Sequence, residues 1–248
     1  MDMNKELAEK IIRLKNEKNA VILAHNYERP EIQDIADFVG DSLGLSQVAS
    51  KTDAEIIVFC GVHFMAETAS IISPQKKVLL PDTNAGCSLA ESITIEELRE
   101  WKSKFPEAVV VTYINSTAAV KTESDYCCTS SNAVQVVNSI PKEKKILFAP
   151  DRFLGKYVKA MTDRDIEIWD GACHVHEKIG EIDFNEAHEK YPDAEFLIHP
   201  ECGCSTSCML KAAVYEDCKN THIFSTEGMI QFVDKSEKDQ FVIATEIG

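Results

Sequence analysis

Three apolar runs of strand length end in side chains that can carry protons or bind anions. The runs are VILAHNY from residue 21, VVVTYIN from residue 109 and EFLIHPE from residue 195. His25, Tyr113 and His199 occupy the same place in the three runs, 88 and then 86 residues apart. Parallel sheets bind ligands at the carboxyl ends of their strands, so this spacing predicts a shared binding site there. A single histidine could simply cap its strand, and it is the recurrence that favours a functional role.

Two cysteines keep the same spacing. Cys87 ends VLLPDTNAGC and Cys173 ends IEIWDGAC, 86 residues apart. Three thiolates of this kind would bind an iron–sulfur cluster or zinc and leave one coordination position open for water or substrate. The repeat places the third cysteine 22 to 26 residues past Glu246 and therefore beyond Gly248. We expect the protein to continue beyond this chain; the alternative is a third unit without its final strand and cysteine, in which Cys202, Cys204 or Cys208 would complete the site.

A second cysteine group, CGCSTSC, holds Cys202, Cys204 and Cys208. Its C-x-C-x3-C spacing is that of neither a zinc ribbon nor a bacterial ferredoxin, and the other repeats have no counterpart to it. We therefore rank this group below Cys87 and Cys173 as a metal site, and a redox-sensing pair remains an alternative.

Hydroxyl side chains also recur at the starts of helical segments. Gly40-Asp41-Ser42 corresponds to Cys128-Thr129-Ser130 and to Phe224-Ser225-Thr226, and a helical pattern follows each of them. The start of a helix suits a carboxylate or phosphate ligand, although Asp41 and Ser42 can equally be ordinary N-caps.

The repeat predicts an α/β fold of three similar α/β lobes with short parallel sheets around a pseudo-threefold axis, with the active site at the centre. We expect the lobes to cover residues 1–105, 106–192 and 193–248, the third of them incomplete. Apolar residues at positions 32, 35, 36 and 39 predict a helix in the first lobe, and this helix is expected to end at Gly40. Adjacent Cys127 and Cys128 are expected to be small buried residues.

Composition and charge exclude some partners. The formal net charge is -15 and 44% of the residues are hydrophobic, which is typical of an acidic globular protein. Phosphates are repelled by such a surface, so we expect neither nucleic acid nor membrane as a partner. Nine cysteines without a visible targeting segment indicate reduced thiols and a cytoplasmic location.

The ordered motifs of the chain resemble one known family. They are AHNY, GDSL, FMAE, AGCSLA, YINST, TSSNA, PDRFLG, GACHVH, HPEC, STEGM and ATEIG, and in this order they resemble the quinolinate synthase family. The resemblance implies the three-lobed fold and the condensation of iminoaspartate (iminosuccinate) with dihydroxyacetone phosphate to quinolinate, with loss of phosphate and water. It also implies a role in NAD biosynthesis, a 4Fe-4S cluster held by three cysteines, and a possible aspartate-oxidising enzyme as the supplier of iminoaspartate.

Residue roles follow from the resemblance. Cys87 and Cys173 become two of the three cluster ligands. The implied substrate-binding residues lie at the ends of strands and the starts of helices: His25, Ser42, Tyr113, Ile114, Asn115, Ser130, His199, Pro200, Glu201 and Thr226. Glu201 is the candidate general base, with His199 or His25 as acid partner and Tyr27 as proton shuttle, and His176 is expected nearby.

Two alternative functions use the same residues. One is a metal-dependent hydrolase or lyase on this scaffold, which would contain zinc or iron without sulfide. The other is a non-catalytic iron–sulfur regulatory protein, which would bind a cluster without turning over iminoaspartate.

Overall fold

The computed structural model describes residues 3–205 and 220–245, which fold as alternating helices and strands. Contacts divide these residues into two compact units, residues 3–87 and residues 88–205 with 220–245. Every described strand pairing is parallel, which confirms the α/β fold with short parallel sheets. The boundaries of the three lobes stay a prediction. Within the described residues, no helix is long and apolar enough to cross a membrane.

The first unit is a four-stranded sheet with its helices, and its strand order is β2-β1-β3-β4. Its elements are α1 (Met3–Glu17), β1 (Ala20–His25), α2 (Pro30–Gln33), β2 (Phe38–Gly40), α3 (Ser42–Lys51), β3 (Ile56–Cys60), α4 (His63–Ile72) and β4 (Lys77–Leu79). Leu23, Ile57 and Phe59 are fully buried, as expected for central parallel strands covered on both faces.

The second unit holds two sheets, of strand order β6-β5-β7-β8 and β10-β9-β11. The first sheet is built from α5 (Ile95–Ser103), β5 (Val109–Tyr113), α6 (Ala118–Thr122), β6 (Tyr126–Cys128), α7 (Ala133–Ser139), β7 (Ile146–Ala149), α8 (Arg152–Thr162) and β8 (Ile166–Ile168). A 3-10 turn (His176–Lys178) then leads to α9 (Glu181–Lys190), β9 (Glu195–Ile198), β10 (Thr221–Ile223), α10 (Thr226–Lys235) and β11 (Phe241–Ala244). Separate apolar cores support the two sheets, one around Leu98 and Val110 and one around Phe184 and Phe196.

The three sheets follow one plan, and this confirms the internal repeat. In each of them the first strand lies between the second and the third strand of its repeat. His25 is paired with Gly40 in the first sheet and Tyr113 with Cys128 in the second. The predicted equivalence therefore extends to the hydrogen-bonded register.

A hydrogen bond from a strand N–H to an aspartate carboxylate also repeats in the first two sheets, and the sequence motifs did not reveal it. The carboxylate of Asp37 accepts the N–H of Ile22 at 2.8 Å, and the carboxylate of Asp125 accepts the N–H of Val110 at 2.8 Å. Both bonds link residues fifteen positions apart and fix the start of the second strand beside the first.

The predicted helix across residues 31–39 is wrong. The structure forms only the short helix α2 and then the edge strand β2. The physical reason is that Asp37 forms two hydrogen bonds with Ile22. Its carboxylate accepts the N–H of Ile22, and its own N–H donates to the carbonyl of Ile22 at 2.9 Å, so the chain pairs with β1 in an extended conformation. The prediction for the cysteine pair is half wrong, since Cys128 is buried but Cys127 faces solvent from the edge strand β6.

Candidate functional site

The second unit gathers polar side chains at the carboxyl ends of β5 and β9. Tyr113 ends β5, and the turn that carries His199 and Glu201 follows β9 directly. All three side chains are buried, with exposed fractions of 4%, 6% and 3%. Buried polar groups at this density are costly unless they are paired, so their contacts decide what the site can do.

Glu201 is the centre of these contacts. The hydroxyl of Tyr113 donates to Glu201 Oε1, and the side-chain amide of Asn115 donates to the same oxygen at 3.4 Å. The other oxygen, Oε2, lies 3.4 Å from Nδ1 of His176. Burial, and then the neighbouring Glu201 carboxylate, holds the pKa of Tyr113 well above its usual range, so the phenol stays protonated and donates.

The two buried histidines of this unit are neutral. Burial lowers the pKa of His176 to about 4, and burial together with His176 lowers that of His199 to about 3. Their rings lie with centroids 4.8 Å apart and planes tilted by 31°. The short distance from His176 to Glu201 would suit an ion pair, but the cost of burying an imidazolium outweighs that attraction here.

The turn after β9 is secured by its backbone. The N–H of Cys202 donates to the carbonyl of His199 at 3.0 Å, and the N–H of Gly203 donates to the carbonyl of His176 at 3.1 Å. A Cβ atom at Gly203 would lie 2.7 Å from the carbonyl oxygen of Glu177, so only glycine allows this close approach. The turn and the 3-10 turn are thereby fastened together, which places His176 beside Glu201.

Cys173 joins this group. Ligating atoms of Cys173, His176 and Glu201 all lie within 4.8 Å of one another, and all three residues are buried. A buried set of thiol, imidazole and carboxylate is compatible with a metal or iron–sulfur site. The prediction of a metal ligand at Cys173 is consistent with this placement.

The first unit holds the remaining predicted residues of the N-terminal repeat. Nδ1 of His25 accepts the N–H of Tyr27 at 3.3 Å, and burial lowers the pKa of His25 to about 4. Ser42 is the first residue of α3, whose N-cap Asp41 accepts the N–H of Gly44 at 2.7 Å. Cys87 is half-buried and lies in the loop after β4.

The structure brings together Tyr113, Asn115, His199 and Glu201 of the predicted set. Ile114 and Pro200 are buried beside them in sequence. Ser130 lies in the turn between β6 and α7, and Thr226 is the first residue of α10, so both stand at helix starts or just before them as predicted.

Sequence reasoning placed His176 only near the site and missed Thr245. Nε2 of His176 lies 3.3 Å from the hydroxyl of Thr245, at the end of β11. The spacing Cys173-x-x-His176 was the available signal, since one helical turn brings such a pair to the same side. Thr245 lies in the ATEIG motif, but that motif gave it no role, because Thr245 is distant in sequence from every other member of the group.

Comparison with known proteins agrees with the geometry. A family model described as quinolinate synthetase A protein matches residues 9–248. A quinolinate synthase of Pyrobaculum aerophilum is 53% identical over 242 residues, which cover 98% of this chain and 78% of the relative. Those of Thermus thermophilus and of a Mycobacterium species are each 52% identical, covering 98% of this chain and 76% and 73% of the relatives.

Proposed function

The chain belongs to the quinolinate synthetase A family, and on this premise we propose that it condenses iminoaspartate with dihydroxyacetone phosphate to quinolinate. Phosphate and water are lost in the reaction, which contributes the pyridine ring to NAD biosynthesis. The observation that carries the proposal is the buried contact of Tyr113, Asn115 and His176 with Glu201, at strand ends that the family match covers.

Glu201 is the proposed general base. Its carboxylate is held by two donors on one oxygen and is shielded from water, so a proton taken from a substrate carbon or hydroxyl would pass to a fixed position. Tyr113 stays protonated and keeps the acceptor oriented. A proton-transferring side chain of this kind contributes about 10²–10⁴-fold to a rate.

The neutral histidines are proposed as donors to substrate carboxylates. Nδ1 of His199 accepts the N–H of Glu201 at 3.4 Å, and Nδ1 of His25 accepts that of Tyr27 at 3.3 Å. In both rings this bond places the proton on Nε2, the nitrogen that is proposed to donate to an anion. Ser42, Ser130 and Thr226 are proposed to supply hydroxyl donors for the same purpose, with Ile114 and Pro200 as the apolar lining.

The proposed cofactor is a 4Fe-4S cluster, with Cys87 and Cys173 as two of its ligands. The residues fit such a group, since Cys173 offers a buried thiol beside a carboxylate and an imidazole. When bound there, the cluster would supply a Lewis acid for the loss of a substrate hydroxyl as water.

We further propose a cytoplasmic location and an aspartate-oxidising enzyme as the source of iminoaspartate. Iminoaspartate hydrolyses readily in water, so the reaction that forms it must occur close to the enzyme that consumes it. The substrates themselves are small molecules.

The test is quinolinate formation by anaerobically purified, iron- and sulfide-loaded protein, with iminoaspartate generated in the assay. We expect turnover that is lost in Cys173→Ala and retained in Cys127→Ala, a control in which the thiol is exposed on β6. Bound iron and sulfide without turnover would contradict the proposal and favour the regulatory protein. Zinc without sulfide would favour a hydrolase or lyase.

A further inference from the structure

Residues 88–93, which directly follow Cys87, form a turn-rich segment that is neither helix nor strand. Such connecting segments usually run over the surface of a protein. This one instead buries most of its apolar side chains, with exposed fractions of 0% for Leu89, 3% for Ala90 and 1% for Ile93. The position of the segment is therefore fixed by tertiary contacts, and the most specific of them are made with the loop that carries Cys173.

Ser92 fastens the far end of this segment to that loop. The indole N–H of Trp169 donates to the carbonyl of Ser92 at 2.9 Å. A Cβ atom at Gly171 would overlap the hydroxyl of Ser92 and would lie 2.5 Å from the carbonyl oxygen of Pro150. Glycine at this position thus allows the segment and the loop before Cys173 to lie side by side.

Ser88 fastens the near end of the segment. Its hydroxyl lies 2.6 Å from Nδ1 of His174, a hydrogen bond between side chains 86 residues apart. Ser88 follows Cys87 and His174 follows Cys173, so the bond joins corresponding positions of two copies of the repeat. Because each partner is covalently linked to a proposed cluster ligand, the bond limits how far those two cysteines can separate.

Arg152 holds the same loop from the start of α8. Its backbone N–H donates to the carbonyl of Gly171 at 2.8 Å. Its guanidinium lies 3.2 Å from the carboxylate of Asp170 and 3.1 Å from that of Glu177, one residue on each side of Cys173 in the chain. The loop is therefore held by the contacts of the chain itself, and Ser88 binds to a fixed partner.

We propose that Ser88 and His174 are positioning residues for the proposed cluster, and that their hydrogen bond keeps the Cys87 and Cys173 thiols together as ligands. The inference rests on the proposed function, because it gives these residues a role toward that cluster and no metal of their own. Ligands that are already held in place lose less conformational freedom on binding, so they hold the cluster more tightly. Replacing either residue removes one hydrogen bond, which corresponds to a change of about 3–10-fold.

Iron release from the loaded protein tests the bond. Under anaerobic conditions and with an excess of iron chelator, Ser88→Ala and His174→Ala should each release iron about 3–10-fold faster than the parent. The double variant should release iron no faster than either single variant, because all three lack the same bond. Ser88→Thr keeps the hydroxyl and should release iron at the parent rate. Parent rates in both single variants, or additive effects in the double variant, would overturn the proposal.

Stability measurements and matched variants separate positioning from folding. Ser88 and His174 are both exposed, and exposed side chains contribute little to the stability of a fold. The urea midpoints of the metal-free Ser88→Ala and His174→Ala chains should therefore match that of the parent. Ser139→Ala and His63→Ala are the controls and should release iron at the parent rate, since each replaces an exposed side chain of the same type outside the segment and the loop.

Cross-linking of the metal-free chain separates this inference from the proposed function. A short bifunctional thiol reagent should join Cys87 to Cys173 in the parent, as detected by mass spectrometry of the linked peptides. The yield should fall about 3–10-fold in Ser88→Ala and His174→Ala. If the chain assembles no cluster but the cross-link depends on this pair, the proposed cofactor fails alone. If a cluster assembles and neither its release nor the cross-link differs between parent and variants, the inference fails alone.

Discussion

Replacing Glu201 with glutamine separates its chemistry from its packing. The amide oxygen would keep the bonds from Tyr113 and Asn115, and the new N–H would point at Nδ1 of His176, 3.4 Å from the atom it replaces. The loss of a buried charge and the gain of a donor should leave the free energy of unfolding unchanged or higher. The loss of a general base should lower kcat by about 10²–10⁴-fold, which is about 3–5 kcal/mol of transition-state free energy.

The assay is single-turnover quinolinate formation with loaded enzyme, beside urea unfolding of the same preparation. Glu195→Gln is the matched control, because Glu195 lies on β9, the strand that leads to Glu201, and is paired with His222 at 2.7 Å and with Lys238 at 3.7 Å. The control should lose stability and keep kcat. A Glu201→Gln enzyme with kcat within about tenfold of the parent would refute the assignment of Glu201 as the base.

Three further predictions concern stability and pH. Arg164 donates to four backbone carbonyls around the end of α7, so Arg164→Lys should lower the free energy of unfolding by about 2 kcal/mol in urea titrations. Gly203→Ala would force a Cβ to within 2.7 Å of the Glu177 carbonyl and should cost about 1–3 kcal/mol and most of the activity, whereas Gly180→Ala meets ordinary contacts and should cost less. Burial lowers the pKa of His199 to about 3, so the folded state binds fewer protons than the unfolded state and loses stability as the pH falls below 6.5. His199→Gln removes this effect, so between pH 6.5 and 5 its free energy of unfolding in urea titrations should rise by about 1–2 kcal/mol relative to that of the parent.

The sequence predicted the sheets better than the connections between them. Strand positions follow from continuous apolar runs, which parallel strands require on both faces, and the repeat supplied their order. The prediction for the region before Gly40 failed because its apolar residues have helical spacing, whereas the hydrogen bond to the Asp37 carboxylate stabilises a strand there. Such a bond depends on a partner fifteen residues away, and periodicity contains no information about it.

The site was predictable where it repeats and obscure where it does not. Tyr113, His199 and Glu201 were found because each lies at or just after the end of a strand in a recurring position. His176 lies in a 3-10 turn that has no counterpart in the other repeats among the described residues, and Thr245 meets it only through folding. Contacts of this second kind are set by packing between segments distant in the chain, and a motif comparison cannot supply them.

The repeat also suggests how binding and reaction were divided among its copies. His25 and His199 make the same bond, each accepting the N–H of the residue two positions later, at 3.3 Å and 3.4 Å. Both rings are therefore fixed as neutral Nε2–H donors, and we infer that this shared position binds substrate anions. The position two residues later holds Tyr27, Asn115 and Glu201 in turn, and only the last is a carboxylate. The proposed base, Glu201, thus lies where one copy differs from the others, at a position whose backbone the common bond fixes.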